Sequence, residues 1–329
     1  MSETRRPPER PWGLPVLLWL LLLAPMAWAA PAREAPAEAT VEMKPIHVSE
    51  HVWYVQGKPV VATGNQGFVS NAGIVITGEG VVVFDALGTP ALARRLVRII
   101  RGLTDQPIRK VVVSHYHADH IYGLQVFKDL GAEIIAAAGA EAYLDSEAAR
   151  NRLEERRVSL FPWVDEHTRL VAPDRYVEDR MEIRMGEVTL QLQNLGDAHS
   201  DADLMMFVLP DRVLFSGDII FEGRIPFVGS ANTRHWLETL EQLDTEGVRA
   251  LIPGHGPAAR EPRKAIRLTR DYLAFLRREM GHAVEEMIPF DEAYDAVDWS
   301  RWKDLPTFDE ANRRNAYQVY LSMEAEGFE

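Results

Sequence analysis

The sequence contains no cysteine among its 329 residues. Disulfide bonds, thiolate metal ligands and cysteine nucleophiles are therefore excluded. A signal sequence that ends in a lipid-modified cysteine is excluded for the same reason. Any bound metal must be held by nitrogen and oxygen atoms, which suits zinc and also iron or manganese.

The chain also has no excess of basic residues. Its formal net charge is −13, whereas binding to nucleic-acid phosphates requires a basic surface. We therefore expect a small-molecule substrate and no nucleic-acid partner. Because 47% of the residues are hydrophobic, the chain can bury a sizeable core, and one large α/β domain would hold most of it.

The apolar run near the N-terminus is too short for a membrane anchor. Leu14–Leu23 falls short of the span of about 20 residues that a membrane helix needs. Arginines precede this run and Ala27-Trp28-Ala29 follows it, which is the order of a secretory signal. We predict a cleaved signal peptide over residues 1–30, a periplasmic or secreted mature protein without a stable membrane anchor, and a flexible leader over residues 31–45.

A predicted buried strand that ends in metal-ligating side chains is the most informative part of the sequence. The β-branched run Val111–Val113 indicates a strand buried on both faces. Four candidate ligands follow, namely His115, His117, Asp119 and His120. Residues two apart in an extended chain point to the same side, so the first two histidines can face one metal. The other two residues lie where the chain turns toward a helix, and they can serve a second metal nearby.

Three further candidate ligands come later, each just past a predicted strand. They are His199 in GDAHSDAD, Asp218 in FSGD and His255 in PGHG. Loops at strand ends are where α/β folds assemble their sites. The pattern therefore predicts one metal centre built from distant parts of the chain.

The remaining elements are predicted from hydrophobic period and turn residues. Helices are expected over residues 121–130 and 141–157, and a covering loop over residues 158–182. Three long helical patterns end the chain, at roughly residues 262–280, 290–297 and 309–326.

The H-x-H-x-D-H signature, with the later ligands in this order, resembles the metallo-β-lactamase superfamily of binuclear hydrolases. This resemblance implies an α/β fold, an αββα sandwich over residues 46–260, with a C-terminal helical extension over residues 261–329 packed on the same domain. It also implies a ligand set, with a first metal on His115, His117 and His199, a second on Asp119, His120 and His255, and Asp218 bridging both.

The same resemblance implies the chemistry. Two zinc ions would lower the pKa of a bridging water, and the resulting hydroxide would attack an electrophilic carbonyl. Asp119 would orient this hydroxide as well as bind metal, which makes it the catalytic candidate. In this superfamily an aspartate after the strand VVVF commonly supports a ligand histidine, and that role falls to Asp85.

An aspartate bridge at position 218 resembles glyoxalase II, the lactonases, the alkylsulfatases and the persulfide dioxygenases. The segments GNQGFVSNAG, SHYHADHIYGLQVFKDLGA and ANRRNAYQVYLSMEAE resemble the SoxH-like periplasmic hydrolases of sulfur-oxidation and quinoprotein systems. The leading hypothesis is a secreted zinc hydrolase of a thioester or other activated acyl compound, and not a typical β-lactamase. Two alternatives stay open: a mononuclear iron persulfide dioxygenase, and a metal-dependent accessory or binding factor of such a periplasmic system.

Substrate contacts are expected from the C-terminal helices. In glyoxalase II, helices after the core offer basic and tyrosine groups to the substrate carboxylates. The corresponding candidates are Arg263, Lys264, Tyr272, Arg313, Arg314 and Tyr317. The substrate, the metal in the cell and the oligomeric state stay open at this point.

Overall fold

A computed structural model gives the fold and describes Met1, residues 36–243 and residues 245–327. Apart from Met1, the predicted signal peptide over residues 1–30 lies outside the described residues. Within the described part of the chain, no helix combines the length and the apolar character that crossing a membrane requires.

The first sheet has seven strands that lie side by side in chain order. The first four pair antiparallel and the last four pair parallel. The strands are β1 (Pro45–His47), β2 (Val52–Val55), β3 (Ala72–Thr77), β4 (Gly80–Phe84), β5 (Ile108–Val112), β6 (Glu133–Ala137) and β7 (Arg175–Val177).

The second sheet has five strands, in the order β12, β11, β10, β9, β8. Its strands pair antiparallel except for β11 and β12, which are parallel. The strands are β8 (Arg180–Met185), β9 (Val188–Gly196), β10 (Asp203–Leu209), β11 (Val213–Phe221) and β12 (Ala250–His255).

Helices connect these strands and extend the chain at its C-terminal end. The α-helices of the described residues are α1 (Pro90–Leu103), α2 (Ala118–Ile121), α3 (Leu124–Asp129), α4 (Ala140–Leu144), α5 (Glu147–Ser159), α6 (Thr233–Gln242), α7 (Pro262–Glu285), α8 (Phe290–Ala296) and α9 (Phe308–Glu326).

Three apolar layers explain why the sheets and helices stack. Alternate residues of a strand point to opposite faces, and on β4 Val83 packs with the helices while Val82 and Phe84 pack between the sheets. The rings of Phe84 and Phe215 stack there, 5.1 Å apart. A third cluster joins the second sheet to α6, α7 and α9. The predicted α/β architecture, with two sheets inside and a C-terminal helical region, is thereby confirmed.

Residues 36–44 are packed, in contrast to the flexible leader predicted over residues 31–45. Ala39 and Met43 are buried in the helix-side core of the first sheet. Arg94 and Arg95 of α1 donate hydrogen bonds to backbone carbonyls of this segment, at 2.8 and 3.0 Å. The segment's few apolar side chains and its backbone therefore find partners on α1, which composition alone did not reveal.

Candidate metal centre

One edge of the two sheets collects all of the predicted ligands. Strand β5 lies between two parallel neighbours, and the chain leaves it in an extended conformation that reaches α2. His117 is the N-cap residue of that helix. His115 therefore lies on the extended segment, while Asp119 and His120 lie in the first turn of α2.

The second sheet supplies the other ligands, and two of them lie inside strands. His199 follows β9, as expected. Asp218 lies within β11 because that strand continues past an irregularity at Gly217, where φ is +52°. His255 is the last residue of β12. The expectation that all three ligands lie just past strand ends was therefore wrong for Asp218 and His255.

Three imidazoles form a first group of candidate ligands. The Nε2 atom of His115 lies 2.9 Å from Nδ1 of His117, and Nε2 of His199 lies 3.0 Å from the same Nδ1. Their ligating atoms all lie within 4.8 Å of one another. Three neutral nitrogen donors that converge in this way match the ligand set of a catalytic zinc site.

A second group lies beside the first. Nε2 of His255 lies 3.2 Å from a carboxylate oxygen of Asp119, and Nε2 of His120 lies 3.5 Å from the same oxygen. The ligating atoms of these three side chains also lie within 4.8 Å of one another.

The Asp218 carboxylate stands between the two groups. Its Oδ2 atom lies 3.5 Å from Nε2 of His199 and 3.3 Å from Nε2 of His255, and its Oδ1 atom lies 3.4 Å from Nε2 of His120. Among the described residues, His120 Nε2 and Asp218 Oδ1 are buried without a hydrogen-bond partner. Such orphaned atoms are costly in a protein interior. A divalent cation would satisfy both, so the residues fit the metal ions that the sequence implies.

Asp85 lies behind the ligands and orients two of them. Its carboxylate accepts hydrogen bonds from the backbone N–H and the hydroxyl of Ser114, at 2.7 and 2.8 Å. It also lies 2.9 Å from Nδ1 of His120. The Ser114 hydroxyl, in turn, lies 2.9 Å from Nδ1 of His115. These contacts leave Nε2 of both histidines pointing into the site, as expected for a supporting carboxylate.

Two further contacts orient the ligands of the second sheet. His255 Nδ1 lies 2.8 Å from the carbonyl oxygen of Val69, so the ring donates there and turns Nε2 inward. Asp203 accepts hydrogen bonds from the backbone N–H groups of Ala198 and Ser200, which flank His199. Burial raises the pKa of Asp203 to about 7. The motif GDAHSDAD contains this aspartate, but sequence reasoning did not single it out.

Four of the ligand side chains are already in the protonation state that binding of a divalent cation requires. Burial lowers the pKa of His115 and His117, and that of His199 to about 3, so these imidazoles are neutral near pH 7. Burial opposes ionisation of Asp218, but nearby imidazoles outweigh it and lower the pKa of the carboxyl. Metal ligands must be deprotonated to bind, and these four side chains already are.

Nearby carboxylates stabilise the protonated form of two other ligands, His120 and His255. Burial lowers the pKa of His120, but the charges of Asp119 and Asp218 outweigh burial and raise the value to about 10. The pKa of His255 is raised as well, where the charge of Asp218 again outweighs burial. A metal ion that displaced these protons would meet the same carboxylates.

The centre opens into a cavity of about 420 Å³. The residues of its wall include His117, Asp119, Asp218 and His255. Four arginines line the same cavity, namely Arg152 and Arg156 of α5, Arg224 after β11, and Arg314 of α9.

Only one of the six predicted substrate contacts lies on this cavity, and it is Arg314. The prediction was wrong for Tyr272, which is fully buried and donates a hydrogen bond to Asn312 at 2.9 Å. Arg313 pairs instead with Asp291 at 2.7 Å. The other three candidates, Arg263, Lys264 and Tyr317, are absent from the residues that line the cavity.

The difference between Arg313 and Arg314 has a simple helical cause. Neighbouring residues of α9 point about 100° apart, so Arg313 and Arg314 face different surroundings.

Sequence reasoning missed Arg152, Arg156 and Arg224. The spacing of four residues on α5 does place the first two on one face, and Arg224 interrupts an apolar stretch, but neither signal was used.

The chain belongs to the metallo-beta-lactamase superfamily. The model of that family matches residues 65–255, which is more than half of the chain. Members of this superfamily bind divalent metals, and the described residues include the histidine and aspartate groups that could hold them. The family match and these groups together mark a candidate metal centre.

Comparison with individual proteins gives distant likenesses. A linear primary-alkylsulfatase from Pseudomonas sp. (strain ATCC 19151) is 20% identical over 254 residues, which are 67% of this chain and 48% of that protein. The acyl-coenzyme A thioesterase MBLAC2 from Gallus gallus is 28% identical over 156 residues, which are 44% of this chain and 55% of that protein. The chain spans about half the length of these curated relatives.

A solved structure shows the same fold. The stereoselective inverting sec-alkylsulfatase from Pseudomonas sp. superposes with a TM-score of 0.67, covering 85% of this chain and 50% of that one. Because the sequence identity is 19%, this likeness speaks for the fold and not for a shared substrate.

Proposed function

We propose that this protein is a secreted binuclear zinc hydrolase that cleaves a thioester or another activated acyl compound. The observation that carries the proposal is the position of Asp218. One carboxylate faces His199 of the first group with one oxygen and His120 of the second with the other, which is the arrangement that a bridge between two cations needs. A mononuclear iron centre would leave one of these groups without a metal.

The seven ligand residues would have distinct roles in metal binding and catalysis. His115, His117 and His199 would hold one cation, and Asp119, His120 and His255 the other. When bound, the two cations would supply hydroxide near neutral pH and polarise a carbonyl oxygen. The Asp119 side chain is 27% exposed and lies on the cavity wall, so its carboxylate is placed to accept a proton from the attacking water and to orient it.

Two of the relatives support the choice of reaction. Their printed names describe a thioesterase and an alkylsulfatase, and both reactions cleave an ester-type bond next to a charged or activated group. The absence of cysteine distinguishes the ligand set from one that uses a thiolate. We therefore favour hydrolysis of a thioester or another activated acyl compound over hydrolysis of a β-lactam.

The test is turnover of a thioester panel by the purified, zinc-loaded protein. Thiol release should follow zinc content, stop after chelation and return when zinc is restored. Asp119→Asn should lower kcat by about 100-fold or more, while penicillins and carbapenems should be poor substrates. No thiol release from any thioester, or one iron per chain with persulfide-dependent oxygen uptake, would contradict the proposal and favour the dioxygenase.

A further inference from the structure

His199 lacks the hydrogen bond that orients other ligand histidines from behind. His115, His120 and His255 each turn Nδ1 to an oxygen atom 2.8 to 2.9 Å away. The Nε2 atom of His199 faces the site, 3.0 Å from Nδ1 of His117, but its own Nδ1 is buried without a hydrogen-bond partner among the described residues. An imidazole that binds a metal through Nε2 has a proton on Nδ1, so this buried N–H requires an explanation.

Aromatic rings pack against His199. The indole ring of Trp236 lies 5.0 Å from the imidazole, centre to centre, and the two ring planes meet at 75°. The ring of Phe221 lies 5.8 Å from the same imidazole, at 57°. All three side chains are fully buried. An edge-to-face arrangement of this kind allows an N–H group to point at the electron-rich face of an aromatic ring.

Trp236 is held in place from two directions. Its indole N–H donates a hydrogen bond of 3.0 Å to the carbonyl oxygen of Ile219 within β11. At the start of α6, Asn232 caps the helix, and its side-chain amide donates a hydrogen bond of 3.1 Å to Asp197, two residues before His199. Because the helix is bonded to the segment that contains the ligand, the position of the indole ring is fixed relative to the imidazole.

We propose that Trp236 is the positioning residue of His199, and that its indole face replaces the oxygen acceptor found behind the other three histidines. The inference rests on the proposed binuclear function, in which His199 binds a cation. An oxygen acceptor raises the basicity of a ligand imidazole, whereas an aromatic face is a weaker acceptor. The indole ring therefore orients His199 without increasing the charge that it donates, which keeps the bound cation electrophilic.

The first measurement is the nuclear magnetic resonance signal of the imidazole N–H protons in the zinc-loaded, isotope-labelled protein. The ring current shifts a proton over an aromatic face upfield, whereas hydrogen bonding to oxygen shifts an N–H proton downfield. We expect one upfield imidazole N–H signal that shows a nuclear Overhauser contact to the ring of Trp236. A His199 N–H signal among the downfield ones, without that contact, would overturn the proposal.

Two substitutions separate the aromatic face from the other contacts of Trp236. Trp236→Leu and Trp236→Phe both lose the hydrogen bond to Ile219, but only phenylalanine keeps an aromatic face. Competition with a zinc-binding dye should show about 10-fold weaker binding of zinc by Trp236→Leu and a smaller loss in Trp236→Phe. Trp302→Leu is the matched control, because that tryptophan is also buried but packs against Tyr272 and Phe275. It should keep the wild-type affinity.

Neither measurement uses a substrate, which separates this inference from the hydrolase function. The expected signal and affinities would support the inference even if no thioester were cleaved. Equal losses in Trp236→Leu and Trp236→Phe would assign the effect to the bond with Ile219, and unchanged affinity in both would make Trp236 an ordinary core residue. Either result would overturn the inference while the hydrolase proposal stands, whereas a wild type that binds no zinc would overturn both. If Trp236→Leu lacks a native circular dichroism spectrum, the N–H signal of the wild type decides.

Discussion

Asp85 illustrates how one side chain can prepare two metal ligands. Its backbone has a φ of +65°, a left-handed conformation that aspartate tolerates better than most residues. From this position its carboxylate bonds the backbone and hydroxyl of Ser114 and lies within bonding distance of His120. The strained backbone is therefore found where it orients the metal centre.

We predict that Asp85→Asn weakens metal binding without unfolding the protein. Asparagine also tolerates the left-handed conformation, but its amide lacks the charge that fixes the tautomer of His120. Loss of such a supporting carboxylate typically lowers metal affinity by about 10- to 100-fold. Competition with a zinc-binding dye would measure the affinity, with Asp105→Asn on the exposed surface as control. Unchanged affinity would show that Ser114 and the packing of the site suffice.

Ligand residues were predictable because their pattern is local and chemically rare. His115, His117, Asp119 and His120 lie within one short segment, and the structure brings them together with the three distant ligands. Arg224 was missed because a single arginine beside an apolar stretch is a weak signal, and its role depends on which groups surround it after folding. Tyr272 was misassigned because tyrosine suits both a pocket wall and a core.

Among the elements, the C-terminal helices matter because they hold the cavity wall. Asn315 of α9 accepts a hydrogen bond from the N–H of Val228 and donates one to the carbonyl of Pro226, at 3.0 and 2.7 Å. It also donates to the hydroxyl of Tyr272 at 3.0 Å. The loop that contains Arg224 and Phe227 is thus tied to the helical extension by buried hydrogen bonds.

We predict that Asn315→Ala lowers the free energy of unfolding by about 2 kcal/mol, because it leaves buried backbone groups of the loop without partners. Denaturation in urea would measure the loss. The control, Asn151→Ala on the exposed side of α5, should stay within about 0.5 kcal/mol of the wild type. An equal loss in both variants would mean that the loop does not depend on this network.

A cluster of ion pairs connects α6, α7 and α9 near the end of the described chain. Arg277 of α7 donates hydrogen bonds of 2.9 and 2.7 Å to the carboxylate of Glu326, and Arg234 of α6 donates another of 2.6 Å. The hydrogen bond from Arg277 is the main cause that lowers the pKa of Glu326 to about 2, from an ordinary value of 4.5. A carboxyl whose pKa is lowered by folding stabilises the fold fully when the pH is above its pKa in the unfolded chain. This stabilisation is lost as the pH falls toward the pKa of the carboxyl in the folded protein.

We therefore predict a pH-dependent effect of Glu326→Gln. Near pH 7 the substitution should lower the free energy of unfolding by about 1 kcal/mol. The difference from the wild type should shrink as the pH falls below about 4.5. Urea denaturation at a series of pH values would measure it, with Glu324→Gln as control, since Glu324 forms no ion pair among the described residues. A difference that did not vary with pH would indicate packing and not charge.

Element boundaries depended on contacts that the sequence does not display. The helix predicted over residues 121–130 is interrupted at Gly123, where a Cβ atom would lie 1.9 Å from the carbonyl oxygen of Ala86. The helix predicted over residues 141–157 is split where Ser146 caps α5. The predicted covering loop over residues 158–182 contains β7 and the start of β8. Backbone packing decided the first case and strand pairing the third, whereas the split before α5 follows the local cap at Ser146.

For the whole molecule, we propose export to the periplasm, which follows from the first 30 residues alone. The SoxH-like resemblance points to the same compartment and also stays a prediction. N-terminal sequencing of the protein recovered from its producing cells should find Ala30 or Pro31 as the first residue. Recovery of residues 1–28 in the membrane fraction would contradict export by signal cleavage.

We propose that Asp218 joins two metal sites into one centre. Two divalent cations close together repel strongly in a partly dry site, and a carboxylate between them offsets that repulsion. Without it, the second cation would face an unneutralised neighbour. Asp218→Asn, whose amide oxygen still coordinates, should lose less metal than Asp218→Ala.

The most direct test of this bridge is the metal content of the purified full-length protein, measured by inductively coupled plasma mass spectrometry. The wild type, and the control Asp201→Ala in the exposed part of GDAHSDAD, should hold about two divalent ions per chain. Asp218→Ala should hold about one or fewer and lose turnover, with a native circular dichroism spectrum. If Asp218→Ala kept the wild-type metal content and near-native rates, the bridge would be refuted, and Asp218 would be only a buried carboxylate of β11.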